Sequence, residues 1–317
     1  MMSWQNVSTF SKTIFNGWNA DFVDLAKKHV NSFPDFDNSS TLLICSDYSG
    51  ESSKSPYVVY SFLLTSLESW TMFEPKRLEV RKICFSDTRR IAFKSLGDIQ
   101  RKKALIPLLE AANDLKGLSF TVAVNKKSVL CPSDKGLLDL SNPAFHMFKK
   151  WKRKVLEKAF LIIHFISFII AGLSKEKQNI IWFTDEDDIV ANNERVCEIT
   201  KLFDWICSTY LEHDLGHCRI GTSRCDNGKN QIEDLLAIPD LVAGAISEQL
   251  SMDNYQIDTK RVFFLQHSDL SDKTKNISWW LLDCNKSLKK LIYFVDPSND
   301  GIGNISSFFH FYGDKVE

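Results

Sequence analysis

Three aspartates stand where the chain changes character. Asp47 lies in "TLLICSDYSGES", Asp185 opens the run "DEDD", and Asp240 sits within "EDLLAIPDLVAGAISE". Hard divalent ions take oxygen ligands, carboxylates above all. Two such ions about 4 Å apart activate a water and stabilise the leaving oxygen of a phosphodiester. One acid alone would hold neither ion, so this chemistry requires separate elements to bring several acids together. Glu51, four residues after Asp47, and Asp187, in the same run as Asp185, are candidates for supporting roles in the metal shell. Each acid also has a plainer reading. An Asp before Ser-Gly starts turns, acids before a helix suit its dipole, and Asp240 beside Pro239 suits a helix N-terminus.

The surrounding pattern indicates which elements carry them. A helix is expected over about Ala20 to Ser32, then strands over Thr41 to Cys45, Tyr57 to Leu64 and, by alternation, Leu78 to Phe85 ("LEVRKICF"). A helical spacing from Asp98 to Leu115 precedes the strand "LSFTVAV" (Leu118 to Val124), and a long helix spans about Ala144 to Leu173 before "NIIWFT" (Asn179 to Thr184). Asn192 or Asn193 caps a helix with Val196, Ile199, Phe203, Ile206 and Tyr210 on one face. "CRIG" (Cys218 to Gly221) reads as a short strand, and a last helix starts near Pro239, a residue favoured in a first turn, and runs to about Leu250. After Ser251, "RVFFLQ", "SWWLLD" and "KLIYFV" read as strands.

This order predicts an α/β chain with a mixed sheet flanked by helices. It divides into an N-terminal helical segment (1–40), a central domain (41–250) and a strand-rich C-terminal extension or small subdomain (251–317). If the strands ending near Asp47 and Asp185 are parallel, both acids lie at the sheet edge where α/β folds bind ligands. On the last helix Leu241, Val242, Ala245 and Ile246 form an apolar stripe, and Asp240 points away from it beside Ala243, Gly244 and Ser247.

"DYSG" at the end of a first strand, together with "IPDLVAGAI" in a late helix, resembles the domain of unknown function 3800 family. The resemblance would cover about residues 40 to 250 and implies a ribonuclease H-like fold with divalent-metal nuclease chemistry. By motif position, Asp47 is the first-strand ligand for Mg²⁺ or Mn²⁺, Asp240 the helix ligand, and Asp185 the acid after the late strand. The sequence departs from the pattern where an acid would follow the third strand: "RRIAFKSLGD" offers only Asp98, and "TVAV" ends in Asn125. The expected function is metal-dependent hydrolysis of RNA or DNA. The alternative is a catalytically inactive module of the same fold that binds nucleic acid or a protein within a larger assembly.

The formal charge of −1 removes the simplest form of nucleic-acid binder, a basic chain, but leaves a local basic path open. Arg89 and Arg90, Lys94, Arg101 to Lys103 (Arg101 and Lys102 foremost), Lys126 and Lys127, and Lys149 to Lys154 with Trp151 among them are the residues expected to line it. Eight scattered cysteines in 317 residues read as reduced thiols, and "MMSWQNVSTFSK" lacks signal-peptide regions, so a cytoplasmic location is expected. "AFLIIHFISFIIAGLS" (Ala159 to Ser174) falls short of a comfortable span, carries His164, and reads as a buried helix with no membrane partner. His213, His217, Cys218 and Cys225 do not match a zinc-finger spacing, so no zinc is expected there.

Overall fold

Strands rich in β-branched and aromatic residues, starting at Thr41 and Tyr57, pair as the first hairpin of a seven-stranded mixed sheet. The computed structural model describes residues 4–5, 7, 16–28, 32–128, 143–252, 270–283, 286–298 and 304–309. In chain order the elements are α1 (Asn16–Lys28), β1 (Thr41–Ser49), β2 (Tyr57–Ser66), α2 (Leu67–Cys84), α3 (Ile99–Ala112), β3 (Gly117–Asn125), α4 (Arg153–Leu173) and β4 (Asn179–Thr184). There follow α5 (Asn193–Tyr210), β5 (Cys218–Thr222), α6 (Gln231–Leu250), α7 (Asp272–Leu282), β6 (Leu288–Pro297) and β7 (Asn304–Phe309). The sheet order is β5-β4-β1-β2-β3-β6-β7. β4 and β5 run parallel to β1, β6 runs parallel to β3, and β2 and β7 are reversed. The C-terminal ends of β1, β3, β4 and β5 therefore share one edge of the sheet.

Helices cover both faces. α1, α4 and α5 pack on one through Phe22, Phe165, Phe168 and Phe203; α2, α3, α6 and α7 pack on the other through Phe73, Leu108, Val242 and Trp280. α4 contains the apolar run. Every residue of it from Leu161 to Leu173 is buried, and His164 Nδ1 shares a hydrogen bond with Tyr210 Oη at 2.6 Å. Burial pushes the His164 pKa down to about 3, so the ring packs neutral. The untagged protein is expected to purify without detergent; recovery only in a carbonate-resistant membrane fraction would contradict this placement.

Two expected strands are helices. "LEVRKICF" belongs to α2, whose buried residues Ser69, Phe73, Arg77 and Val80 recur at helical spacing, with Ser66 capping its start. Its alternation is incidental, because Leu78 and Ile83 face solvent. "SWWLLD" lies largely in α7, capped by Ser271, with Ile277, Trp280 and Leu281 inward and Trp279 outward. The third expected strand, "RVFFLQ", lies outside the described residues. "KLIYFV" is in β6, which extends the sheet beside β3. α6 starts at Gln231 rather than near Pro239, so Pro239 and Asp240 are mid-helix.

Candidate active site

Asp47 lies within β1, opposite Ser61 of β2, and is not the start of a turn. The reversal comes at Gly50, where φ is +81° and a Cβ would lie 2.2 Å from the Tyr57 carbonyl oxygen, so only glycine fits. Side chains alternate along a strand. Cys45 belongs to the cluster under α6, and Asp47, two residues on, emerges on that same face.

Asp240 reaches this point from α6. Its Oδ2 accepts the Phe93 backbone N–H at 2.6 Å, and its carboxyl lines the same cavity as that of Asp47. The approach of Phe93 depends on Gly244, where a Cβ would lie 2.2 Å from the Phe93 ring. Asp185 follows the end of β4, the strand parallel to β1, and its Oδ1 accepts from the Glu186 N–H at 2.8 Å and from Arg90 Nη2 at 2.7 Å. Asp47, Asp185 and Asp240 all line a cavity of about 220 Å³, together with Glu233, Arg90 and Lys94.

Burial is the main cause of an Asp47 pKa raised to about 8; the Asp240 charge adds to it, the Tyr48 N–H opposes it, and Asp185 and Asp187 contribute further. Asp240 is also shifted upward by burial and by Asp185, against the Phe93 N–H and the Lys94 charge. The two carboxyls therefore titrate as a pair that resists full ionisation.

The other expected site residues fall elsewhere. Asp98 caps α3, accepting from the Gln100 and Arg101 N–H groups, and pairs with Arg89. Glu51 and Asp187 both pair with Lys158 of α4, which lies over the Tyr48 ring on the opposite face of the sheet. Among the basic residues, Lys94 lines the cavity, Arg101 donates from Nε to the Arg90 carbonyl at 2.6 Å, and Lys102 pairs with Asp272. Lys126 and Lys127 are exposed just past β3, at the same sheet edge as Asp47.

Glu233 was not anticipated. It stands seven residues before Asp240, two helical turns along the same face of α6. A helix that began near Pro239 would not include Glu233, and it is the start at Gln231 that places the two acids on one face. Arg90 was expected only as part of a basic path, yet it bridges Asp185 and Glu233.

All the candidate donors are oxygens, which suits a hard cation. Asp47 and Asp240 form a partly buried pair of carboxyls that resist ionising together, a resistance a bound cation would relieve. Among the described residues no group of three or more His, Cys, Asp or Glu side chains is arranged to hold a metal ion, and Asp185 is engaged by Arg90 at 2.7 Å. At the zinc candidates, His213 Nε2 is bonded to Ser174 Oγ at 3.0 Å. His213 and His217 precede β5 and Cys225 follows it. A five-residue strand spans about 13 Å, far more than zinc bonds of about 2.0–2.3 Å can bridge. Metal analysis of protein purified without chelator should find no stoichiometric zinc, whereas about one zinc per chain, lost in Cys225→Ser, would refute that.

Comparison of the chain with family models, with curated proteins and with solved structures finds no match in any of the three.

Proposed function

We propose that this is a divalent-metal-dependent nuclease of ribonuclease H-like fold, related to the domain of unknown function 3800 family and acting on RNA or DNA in the cytoplasm. The observation that carries the reading is the meeting of Asp47 and Asp240, from a central strand and a distant helix, in a polar cavity that Asp185 also lines. The sheet supports it as well, because β1 and β4 are adjacent and parallel and so deliver their acids to one edge.

Asp47, Asp240 and Asp185 would hold Mg²⁺ or Mn²⁺. When bound, the ion supplies water activation and charge stabilisation at the leaving oxygen. The chain's own part is positioning. The Phe93 N–H fixes one oxygen of Asp240, and the strand register fixes Asp47. Lys94 would present positive charge to a phosphate, and Lys126 and Lys127 would extend that charge along the sheet edge.

The test is incubation of the purified protein with single-stranded and structured RNA and DNA in Mn²⁺, Mg²⁺, Ca²⁺ or EDTA. Slow cleavage with Mn²⁺ or Mg²⁺, absent with EDTA or Ca²⁺ alone, is the expected result. The second reading, an inactive binding module of the same fold, is favoured by one feature, the Arg90 guanidinium held against Asp185. Absence of both cleavage and divalent-ion binding in the wild type would leave that reading standing.

A further inference from the structure

Arg90 engages two acids through two different nitrogens: Nη2 donates to Asp185 Oδ1 at 2.7 Å, and Nε pairs with Glu233. Both acids and Arg90 line the same cavity as Asp47 and Asp240. Arg90 therefore occupies acceptor positions that a cation bound by these carboxylates would need.

The backbone around it is pinned. The carbonyl of Thr88 accepts from Asn230 Nδ2 at 3.0 Å, that of Arg89 from Arg81 Nη1 at 3.2 Å, and that of Arg90 from Arg101 Nε at 2.6 Å. Phe93 is held as well, through its N–H on Asp240 and through its carbonyl on Lys273 Nζ at 3.1 Å. The Arg90 side chain, by contrast, is 47% exposed. It can leave the acids by rotating about its own torsions, with no loop movement.

We propose that Arg90 is an internal counter-ion: it latches Asp185 and Glu233 shut, and a divalent ion must displace it to recruit them. Glu233 is then a fourth carboxylate of the site. The displaced guanidinium stays tethered at the cavity, where its planar fork suits a phosphate. This rests on the proposed metal chemistry and adds to it a competition between guanidinium and metal.

Calorimetric titration of Mn²⁺ into the full-length chain tests it without reference to cleavage. Arg90→Gln removes the competing charge and should bind Mn²⁺ about tenfold more tightly than the wild type, since two partly exposed ion pairs are lost to the ion's advantage. Arg90→Lys keeps a charge but cannot fork between two acids, and should fall between. Adding Glu233→Gln to Arg90→Gln should abolish the gain. Circular dichroism and melting curves establish that each variant is folded, and if Arg90→Gln does not fold, Arg90→Lys decides by the sign of its change. Binding by Arg90→Gln where the wild type shows none would support the latch in its strongest form. Equal or weaker binding by Arg90→Gln, with binding abolished in Asp47→Asn, would overturn the latch and leave the metal site intact. No Mn²⁺ binding by any variant would overturn both.

Discussion

Asp47→Asn and Asp240→Asn are each expected to reduce metal-dependent cleavage by on the order of a hundredfold to a thousandfold, the range seen when one group stabilising a transition state is removed. The fold should survive both. Asparagine matches aspartate in size, and Asp240→Asn keeps an oxygen for the Phe93 N–H. The metal-free proteins should separate by pH. Asp47 is raised from 3.8 to about 8, first by burial, then by Asp240, with smaller contributions from Asp185 and Asp187. Lys94 acts on Asp240 in the opposite sense, and Arg90 and Glu233 complete the charged lining. Between those two values the folded carboxyl keeps a proton that the unfolded chain releases. Stability in EDTA must therefore fall as pH rises through that window, with none of the penalty below it and all of it above. The wild type should melt roughly 5 °C or more lower at pH 8.5 than at pH 5 relative to Asp47→Asn. Mn²⁺ should restore the wild type at the higher pH and leave Asp47→Asn unmoved. Parallel pH curves for the two proteins would show that Asp47 ionises freely, and unchanged cleavage in Asp47→Asn would assign the activity to another site.

Asp234→Ala is expected to be the most damaging single change to stability. Its carboxylate, 1% exposed, accepts from Arg77 Nη1 at 2.9 Å and from Arg81 at 2.6 and 2.5 Å, while the Arg77 side chain is fully buried. Arg77 also donates to Glu74 and to the Lys229 carbonyl at 2.9 Å, so the network ties α2 to the start of α6. Removing the shared anion leaves two arginines facing each other, one with no access to water. Breaking a buried pair from one side costs about 3–5 kcal/mol, or a melting temperature lower by roughly 10 °C. The exposed pair Lys76–Asp114 is the control: both side chains are about half in solvent, and Asp114→Ala should shift melting by only about 1–2 °C. Because Arg81 also holds the Arg89 carbonyl, Asp234→Ala should loosen the segment that brings Arg90 and Phe93 to the cavity. A melting temperature within 2 °C of wild type would show that this network adds nothing beyond its packing.

What the sequence determined by itself follows its local rules. Hydrophobic period and capping were sufficient to locate β1 through β4, α5 and the burial of α4, while the structure chose Asn192 over Asn193 as the cap and carried β1 on from Cys45 to Ser49. Where a short window satisfied two periods at once, as in "LEVRKICF" and "SWWLLD", local pattern chose strand, while packing of Phe73 and Val80, and of Ile277 and Trp280, chose helix. Asp47, Asp185 and Asp240, which line one cavity, stand out in the sequence because each lies at a break in an apolar pattern. Their neighbours were not. Nothing in the spacing of Asp98, Glu51 or Asp187 says that the first would cap a helix and the other two would meet Lys158 across the sheet. Nor does it join Arg90 to Glu233. Those pairings are set by sheet order and helix packing, which bring together charges far apart along the chain, and a charge takes its partner from whatever lies within a few ångströms of it once the core has closed.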